Sequence, residues 1–293
     1  MRHPHFTIGL VCLASVLLAV ALVILLAVRS RLNIRTGREK VFLPLIDEAP
    51  MEQWESLARK TVFFAHQSVG SNILDGIRDV MKERTYVRLS IVETGQPKAL
   101  RGPVLAHARV GVNGDAESKI EGFRDFMDSG LGKKVDIAFL KLCYVDVKAG
   151  SDVDAIFRVY KEALTDLQAR YPSTQFLHVC TPLCAPPTGL RSEIKGFIKS
   201  MLGRPGCLDD NRERSRYNAL LERTYSGDGT VFDLALVESV GPDGFQRFSV
   251  KGDETIPAML RRYTTDGGHL NEEGRRRAAE QLLVLLARIA SRE

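Results

Sequence analysis

Apolar runs of strand length alternate with amphipathic helical segments from Thr61 to the end of the chain. Runs such as TVFFAH at Thr61 and QFLHVC at Gln175 have the length of single buried strands. Between them, the stretch from Val153 to Arg170 repeats apolar residues at three- and four-residue steps, which predicts a helix with one buried face. The alternation predicts an α/β fold with a parallel sheet covered by helices on both faces. In such sheets the functional site lies beyond the carboxyl ends of the strands.

Five strands and four helices are predicted from this pattern. The strands are TVFFAH, YVRLSIV, VDIAFLKL, QFLHVC and TVFDLAL, and the helices lie near 73–84, 118–127, 153–170 and 272–290. The stretch from Pro182 to Asp210 interrupts the alternation with proline and glycine, so it is predicted to be an inserted excursion near the site.

The N-terminus carries an uncharged stretch from Phe6 to Val28, long enough as a helix to cross a hydrocarbon core of about 30 Å. It is longer than the apolar core of a cleaved signal peptide and no small-residue cleavage site follows it, which predicts an uncleaved anchor. The expected organisation is an anchor at 1–31, an irregular linker at 32–54 and one domain at 55–293.

Charge and cysteine usage narrow the possible partners. The 41 basic and 36 acidic residues are mixed through the chain, and no basic stripe or recognition motif accompanies the net charge of +5, so nucleic acid is not expected as a partner. The chain has no C-x-x-C pair and no histidine and carboxylate spacing typical of a metal site, so neither a metal nor another cofactor is expected. The soluble cysteines are read as buried thiols, with Cys184 and Cys207 as one possible disulfide.

Ser68 comes where the strand TVFFAH ends and a helix is predicted to begin, at Ser71 or Asn72. Serine at such a position is commonly a helix cap. It is also where a nucleophile would have backbone N–H groups of the helix N-terminus nearby to hold an oxyanion. Both interpretations remain open at this point.

Asp266 and His269 lie three residues apart in YTTDGGHLNEEG, just before the last predicted helix. An imidazole that activates a serine needs one nitrogen on the hydroxyl and the other held by a carboxylate or carbonyl. A D-x-x-H sequence provides both groups, and a plain polar turn is the alternative.

A serine after the first strand and a D-x-x-H before the last helix together resemble the SGNH/GDSL hydrolase family. The resemblance covers about Thr61 to Glu293, and RSRYNALLE and VFDLALVES are also similar to segments of that family. It implies a flavodoxin-like three-layer α/β/α fold and metal-free ester hydrolysis, with Ser68 as nucleophile, His269 as general base and Asp266 as its partner.

The resemblance also implies an oxyanion hole, and here the sequence departs from the family. The family uses the N–H of the serine, a glycine N–H after the second strand and an asparagine in a G-x-N-D stretch. Gly111 is preferred to Gly114 for the glycine, whereas Val145 stands at the asparagine position. Tyr144 is taken as the third donor, with Asn113 and Gln67 as alternatives. The residues expected to line the substrate site are His66, Gln67, Asn113 and Asp146.

These features predict a membrane-anchored serine esterase that removes acyl groups, most plausibly O-acetyl, from a carbohydrate or another cell-envelope ester. An acyltransferase to an envelope glycan differs only in the acceptor, and a weakly catalytic glycan-binding module is the alternative from another class. Envelope esters place the domain outside the cytoplasmic membrane, whereas the basic residues after the anchor favour a cytoplasmic domain. The oligomeric state is left open.

Overall fold

A six-stranded, all-parallel sheet forms the centre of the protein, as seen in a computed structural model that describes residues 35–189, 202–251 and 254–292. The strands in these described residues are β1 (Arg35–Lys40), β2 (Thr61–His66), β3 (Ile91–Glu93), β4 (Val104–Arg109), β5 (Ile137–Leu140), β6 (Gln175–Val179), β7 (Val231–Phe232), β8 (Phe245–Lys251) and β9 (Glu254–Pro257). The central sheet has the order β3-β4-β2-β5-β6-β7. Without the short edge strand β3, this is the flavodoxin-like order.

Helices cover both faces of this sheet. They are α1 (Met51–Leu57), α2 (Ser68–Glu83), α3 (Ala116–Asp128), α4 (Val153–Arg170), α5 (Cys207–Tyr225), α6 (Leu234–Ser239) and α7 (Glu272–Ala290). Helices α1, α2 and α6 pack against α7, whereas α3 and α5 pack against α4. The result is the three-layer α/β/α arrangement that the alternating sequence pattern predicts.

The core lies on both sides of β2. Val62, Phe63, Phe64 and Ala65 are all buried, as expected for a central parallel strand with helices above and below. Because β2 lies between β4 and β5, the segments that follow these three strands meet at one edge of the sheet. The chain continues from β2 to β4 on one side and then to β5 on the other side, so the strand order reverses at β2. Such a reversal is where α/β folds bind their ligands.

Two strand predictions need correction. The predicted strand YVRLSIV is reduced to Ile91–Glu93 at the sheet edge, and the inner position beside β2 is taken by VLAHAR, or β4, for which no strand was predicted. Alanine, histidine and arginine are not strong strand formers, so β4 owes its conformation to pairing on both sides. In TVFDLAL only Val231–Phe232 is strand, because Asp233 caps helix α6 through a bond from Leu236 N–H.

The segment expected to be an irregular linker, 32–54, contains ordered structure. Strand β1 pairs antiparallel with β8, and β8 pairs with β9, to give a second sheet of three strands. A 3-10 turn at Ile46–Glu48 and helix α1 follow. The partner of β1 lies some two hundred residues away in the sequence, and the polar RTGREK run carries no periodicity that would predict the pairing.

The predicted anchor, Phe6 to Val28, and residues 190–201 of the predicted excursion lie outside the described residues. Within the described ranges, no helix is both long and apolar enough to cross a bilayer.

Candidate active site

Ser68 is the first residue of helix α2, directly after β2. The residue at the cap position is Gln67, and neither side chain accepts a hydrogen bond from the first turn of the helix. The first intrahelical bond runs from Ser71 N–H to Gln67 C=O. The hydroxyl of Ser68 instead lies 3.0 Å from His269 Nε2. The geometry therefore favours the nucleophile interpretation of this serine over the cap interpretation.

Close packing of α2 on α7 brings His269 to Ser68. Gly76 makes this approach possible, since a methyl group there would lie 2.2 Å from the carbonyl oxygen of Arg275. Further along, Arg275 donates two hydrogen bonds to Asp79, and at the N-terminal end Leu270 N–H donates to Asn72 Oδ1 over 3.2 Å. The two helices start at the same edge of the molecule, so both N-termini border the site.

Asp266 orients His269 and shapes its loop. One carboxylate oxygen lies 2.7 Å from His269 Nδ1 and accepts a hydrogen bond from Nδ1–H, which leaves Nε2 as the acceptor for the serine hydroxyl. The other oxygen accepts from the backbone N–H groups of Gly268 and His269. These hydrogen bonds hold the pKa of Asp266 well below its usual range, so the carboxylate is ionised at neutral pH.

Tyr144, which follows β5, closes the other side of the imidazole. Its ring meets His269 edge to face at 5.8 Å between centroids, and a methyl group on Gly268 would lie 2.7 Å from the phenol ring. Beneath the tyrosine, the buried Arg214 donates from Nε to the carbonyls of Tyr144 and Val147. Burial raises the pKa of Tyr144, so its hydroxyl stays protonated and able to donate.

Gln67, the residue before the serine, binds the loop that follows β4. The amide nitrogen of Gln67 donates to the carbonyls of Val110 and Gly111, at 2.8 and 3.0 Å. Both of its N–H groups are thereby used, which removes Gln67 as an oxyanion donor. Gly111 adopts a φ of +59°, and a methyl group there would meet Lys119 at 2.6 Å. The turn at this position thus requires glycine.

Asp146 is fully buried, which corrects its assignment to the substrate site. Its carboxylate binds Lys119 Nζ at 2.6 and 2.8 Å and accepts from Gly114 N–H and Cys143 N–H. It therefore joins the loop after β4 to the loop after β5. Because the N–H of Gly114 is used in this way, Gly111 remains the better of the two glycine candidates. Asn113 is exposed, and its side-chain oxygen accepts from Lys119 over 2.9 Å.

His66 is also buried, at 1% exposure, and does not line an open site. Its Nδ1–H donates to Gln67 C=O over 2.7 Å, so its Nε2 accepts from His107 Nδ1–H at 3.1 Å. Burial lowers the pKa of His66 to about 3, which keeps this ring neutral. A methyl group on Gly70 would lie 2.3 Å from His66, so the histidine supports the turn that carries Ser68. His66 was expected to line the substrate site, and the structure instead places it beneath the turn that carries Ser68.

Three residues that hold the site were not predicted from the sequence: Lys119, Asn211 and Arg214. The side chain of Asn211 accepts from Cys184 N–H and donates to Cys184 C=O, and its oxygen also accepts from Arg214 Nη1. The RSRYN run on α5 was noted only for its resemblance to the family. Its arginine and asparagine, Arg214 and Asn218, hold the loops that follow β5 and β6.

Cys184 and Cys207 form a disulfide between the loop after β6 and the start of α5, as the sequence allowed. The same loop reaches the segment that carries His269, because Ala185 N–H donates to Gly267 C=O over 2.9 Å. Cys143 and Cys180 are buried free thiols.

A group of potential metal ligands in the described part of the chain comprises Cys180, Glu222 and Asp233. Asp233 already caps α6, and burial raises its pKa to about 7. Hydrogen bonding with Glu222 contributes to this shift.

Comparisons with known proteins find similarity at the level of structure. No protein-family model and no curated protein matches the chain. Among solved structures, a "putative platelet activating factor" from Streptococcus pneumonia has 13% identity and a TM-score of 0.45, covering 81% of this chain and 92% of that one. A "putative lipolytic protein of G-D-S-L family" from Desulfitobacterium hafniense DCB-2 has 9% identity, a TM-score of 0.40 and coverage of 77% and 99%. The periplasmic domain of a Salmonella ser. Paratyphi A lipopolysaccharide acetyltransferase has 13% identity, a TM-score of 0.42 and coverage of 77% and 83%.

Proposed function

We propose that this protein is a serine-dependent acyl-ester enzyme in which Ser68, His269 and Asp266 act together. The observation that carries the proposal is the continuous chain from Ser68 Oγ through His269 to Asp266, with distances of 3.0 and 2.7 Å. The three residues come from opposite ends of the sequence, and their order along these hydrogen bonds matches the roles of nucleophile, general base and orienting carboxylate. If Ser68 were only a helix cap and Asp266 and His269 only part of a polar turn, these hydrogen bonds between them would not be expected.

The chemistry follows from these contacts. Ser68 Oγ attacks the ester carbonyl while His269 Nε2 takes its proton, and Asp266 stabilises the imidazolium that forms. The tetrahedral oxyanion is held by the N–H of Ser68 at the start of α2 and by the loop after β4, with Gly111 as the proposed donor. His269 then gives its proton to the leaving alcohol as the C–O bond breaks, which leaves Ser68 acylated.

The acceptor of the acyl group decides between the two enzyme reactions. Water activated by His269 completes ester hydrolysis, whereas a sugar hydroxyl in the same position completes an acyl transfer. His269 and Asp266 have side chains that are 40% and 55% exposed, so a bulky substrate can reach the reacting atoms. We propose an O-acetylated carbohydrate or another cell-envelope ester as the substrate, with acyl transfer to an envelope glycan as the second reaction.

A catalytically weak glycan-binding module is the alternative from another class. Val145, at the position where the family has asparagine, favours it, because loss of one oxyanion donor costs roughly a hundred- to a thousandfold in turnover.

The test is the hydrolysis of 4-nitrophenyl acetate by the full chain in detergent, compared with Ser68→Ala and His269→Ala. Both variants should reduce activity to background. Ser71→Ala is the matched control, since this serine lies one turn further on the same helix and its backbone bond to Gln67 is kept. Activity in the parent that survives Ser68→Ala would refute the serine mechanism, and a folded parent with no activity would favour the binding module.

We also propose that the chain is a single-pass protein of the cytoplasmic membrane with its domain on the outer side. The Cys184–Cys207 disulfide supports this side, because such bonds persist mainly in oxidising compartments. The basic residues after the anchor favour the opposite side. A reporter fused after Glu293 that is active only in an oxidising compartment should be active, and a fusion that is produced but inactive would overturn the placement.

A further inference from the structure

Exposed apolar side chains cluster in the short segment that follows strand β1. Phe42, Leu45 and Met51 are 79%, 59% and 53% exposed, although they lie within ten residues of one another. In the described ranges, the other large apolar residues with such exposure, Val92, Val112 and Leu202, are dispersed along the chain. Single exposed apolar residues are ordinary, whereas a group of them commonly marks a contact surface.

The chain itself brings this segment close to the proposed anchor. Seven peptide links join Val28, the last apolar residue of the predicted membrane stretch, to Arg35 at the start of β1. Fully extended, they span at most about 24 Å. Because β1 is tied to β8 along its whole length, the residues after it cannot move far from the point where the chain leaves the membrane.

The basic residues that precede this segment suit an anionic surface, whereas four exposed acidic residues lie within and just after it: Asp47, which binds Arg84, and Glu48, Glu52 and Glu55. Between Val28 and Val41 the sequence has five basic residues and one acidic residue. Arg38 and Lys40 are exposed on β1, and Arg38 lies over the ring of Phe245 at 4.9 Å from its centroid. A basic residue near an anionic bilayer surface contributes about 1 kcal/mol of attraction. Basic residues beside exposed apolar ones are the pattern of a surface that lies at the level of the headgroups.

We propose that Arg38, Lys40, Phe42, Leu45 and Met51 form a juxtamembrane surface that docks the domain onto an anionic lipid bilayer. The proposal rests on the membrane anchor of the proposed function. In the docked state Phe42, Leu45 and Met51 lie among the headgroups, and Arg38 and Lys40 lie beside lipid phosphates.

Docking on this surface also decides which way the active site faces. Asp47, between Leu45 and Met51, binds Arg84 and Tyr86 just beyond the C-terminal end of α2. Ser68 is at the other end of the same helix, sixteen residues away, or about 24 Å at 1.5 Å per residue. The nucleophile therefore lies on the side of the domain away from the bilayer. Its substrate is then an ester carried on a polar polymer beyond the membrane surface, in preference to the acyl chains of a membrane lipid.

The test uses tryptophan fluorescence of the full chain in nanodiscs that contain anionic lipid and lipid with a headgroup-level spin-label quencher. The native Trp54 is 2% exposed and is kept as a constant background. Phe42→Trp places a reporter on the juxtamembrane surface. Val112→Trp is the matched control, since Val112 is 64% exposed in the loop that follows β4 at the catalytic edge.

We expect the emission added by Phe42→Trp to be lost to the quencher, and the emission added by Val112→Trp to be unaffected. Quenching at position 42 should decrease in purely zwitterionic nanodiscs and near 1 M salt, where the screening length falls to about 3 Å. Equal quenching at both positions, or none at 42, would overturn the docking surface while leaving the anchor and the ester chemistry intact. A chain that does not remain with the nanodiscs would overturn the anchor, and the docking proposal with it.

Discussion

At the scale of single residues, the site depends on which nitrogen of His269 carries the proton. Asp266 accepts from Nδ1–H and from two backbone N–H groups, so the carboxylate determines both the tautomer and the loop. Asparagine at this position keeps an oxygen for the backbone groups but presents an N–H to the imidazole.

Asp266→Asn should therefore lower kcat by roughly ten-thousandfold, since it favours the wrong tautomer. The melting temperature should change little, because the backbone contacts of the loop are retained. Steady-state kinetics and thermal unfolding of the same preparation check this prediction. A loss of activity that is matched by unfolding would show that Asp266 acts only on the loop.

Tyr144 is the proposed replacement for the asparagine that the family uses at position 145. Its hydroxyl is protonated, and its ring lies against His269. Tyr144→Phe removes only this donor and should reduce kcat by roughly a hundredfold with little change in KM. Asn113→Ala serves as the comparison, because the oxygen of Asn113 is bound to Lys119. A large loss in Asn113→Ala with none in Tyr144→Phe would assign the role to the asparagine.

At the scale of elements, the contact between α2 and α7 places His269 beside Ser68. A methyl group on Gly76 would clash with the backbone of Arg275, so Gly76→Ala has to separate the helices. Overpacking of this kind costs about 1 to 3 kcal/mol.

We expect Gly76→Ala to lower the free energy of unfolding by that amount and to reduce kcat as well, since Leu270 and His269 move with α7. Urea unfolding and ester hydrolysis measure the two effects. Gly227→Ala is the control, because no atom would lie within 4 Å of its added methyl group. Unchanged stability in Gly76→Ala would mean that the helix contact adapts without separation.

At the scale of the whole molecule, a buried carboxyl group makes stability depend on pH. Glu238 is 1% exposed, one of its oxygens accepts from Leu183 N–H, and the other has no partner in the described residues. Burial raises its pKa to about 8 from an ordinary 4.5. The folded state thus binds this proton more tightly than the unfolded state, and the corresponding stability is lost as pH rises through 8.

The free energy of unfolding should consequently fall between pH 6.5 and pH 8.5, and it should fall less in Glu238→Gln, whose side chain stays neutral. The lower limit of pH 6.5 is the ordinary pKa of histidine in the unfolded state. Burial lowers the pKa values of His66 and His178 to about 3 in the folded state, so these two groups affect stability mainly below pH 6.5. Urea unfolding across this range checks the prediction. Identical slopes in the two proteins would show that another group, such as Asp233 with its pKa raised to about 7, carries the effect.

Local patterns were sufficient to predict much of this fold. Helices with a single apolar face, such as α4 and α7, were predicted at their observed bounds, because their apolar residues repeat at helical spacing within one continuous segment. The positions of Ser68, Asp266 and His269 beside predicted helix starts were also visible, since turns and caps are local features. The pairing of β1 with β8 and the inner position of β4 depend on partners distant in sequence, and no local pattern indicated them.

The sequence by itself determined which residues have the chemistry for an acyl-transfer site, whereas the tertiary structure decided which of them can use it. His66, Gln67 and Asp146 are polar residues close to the predicted site, yet each makes hydrogen bonds within the protein, and His66 and Asp146 are also buried. Their partners, His107, the backbone of Val110 and Gly111, and Lys119, lie 27 to 44 residues away in the sequence. Only packing reveals whether a polar side chain is satisfied within the protein, because burial and hydrogen bonding are properties of the folded chain.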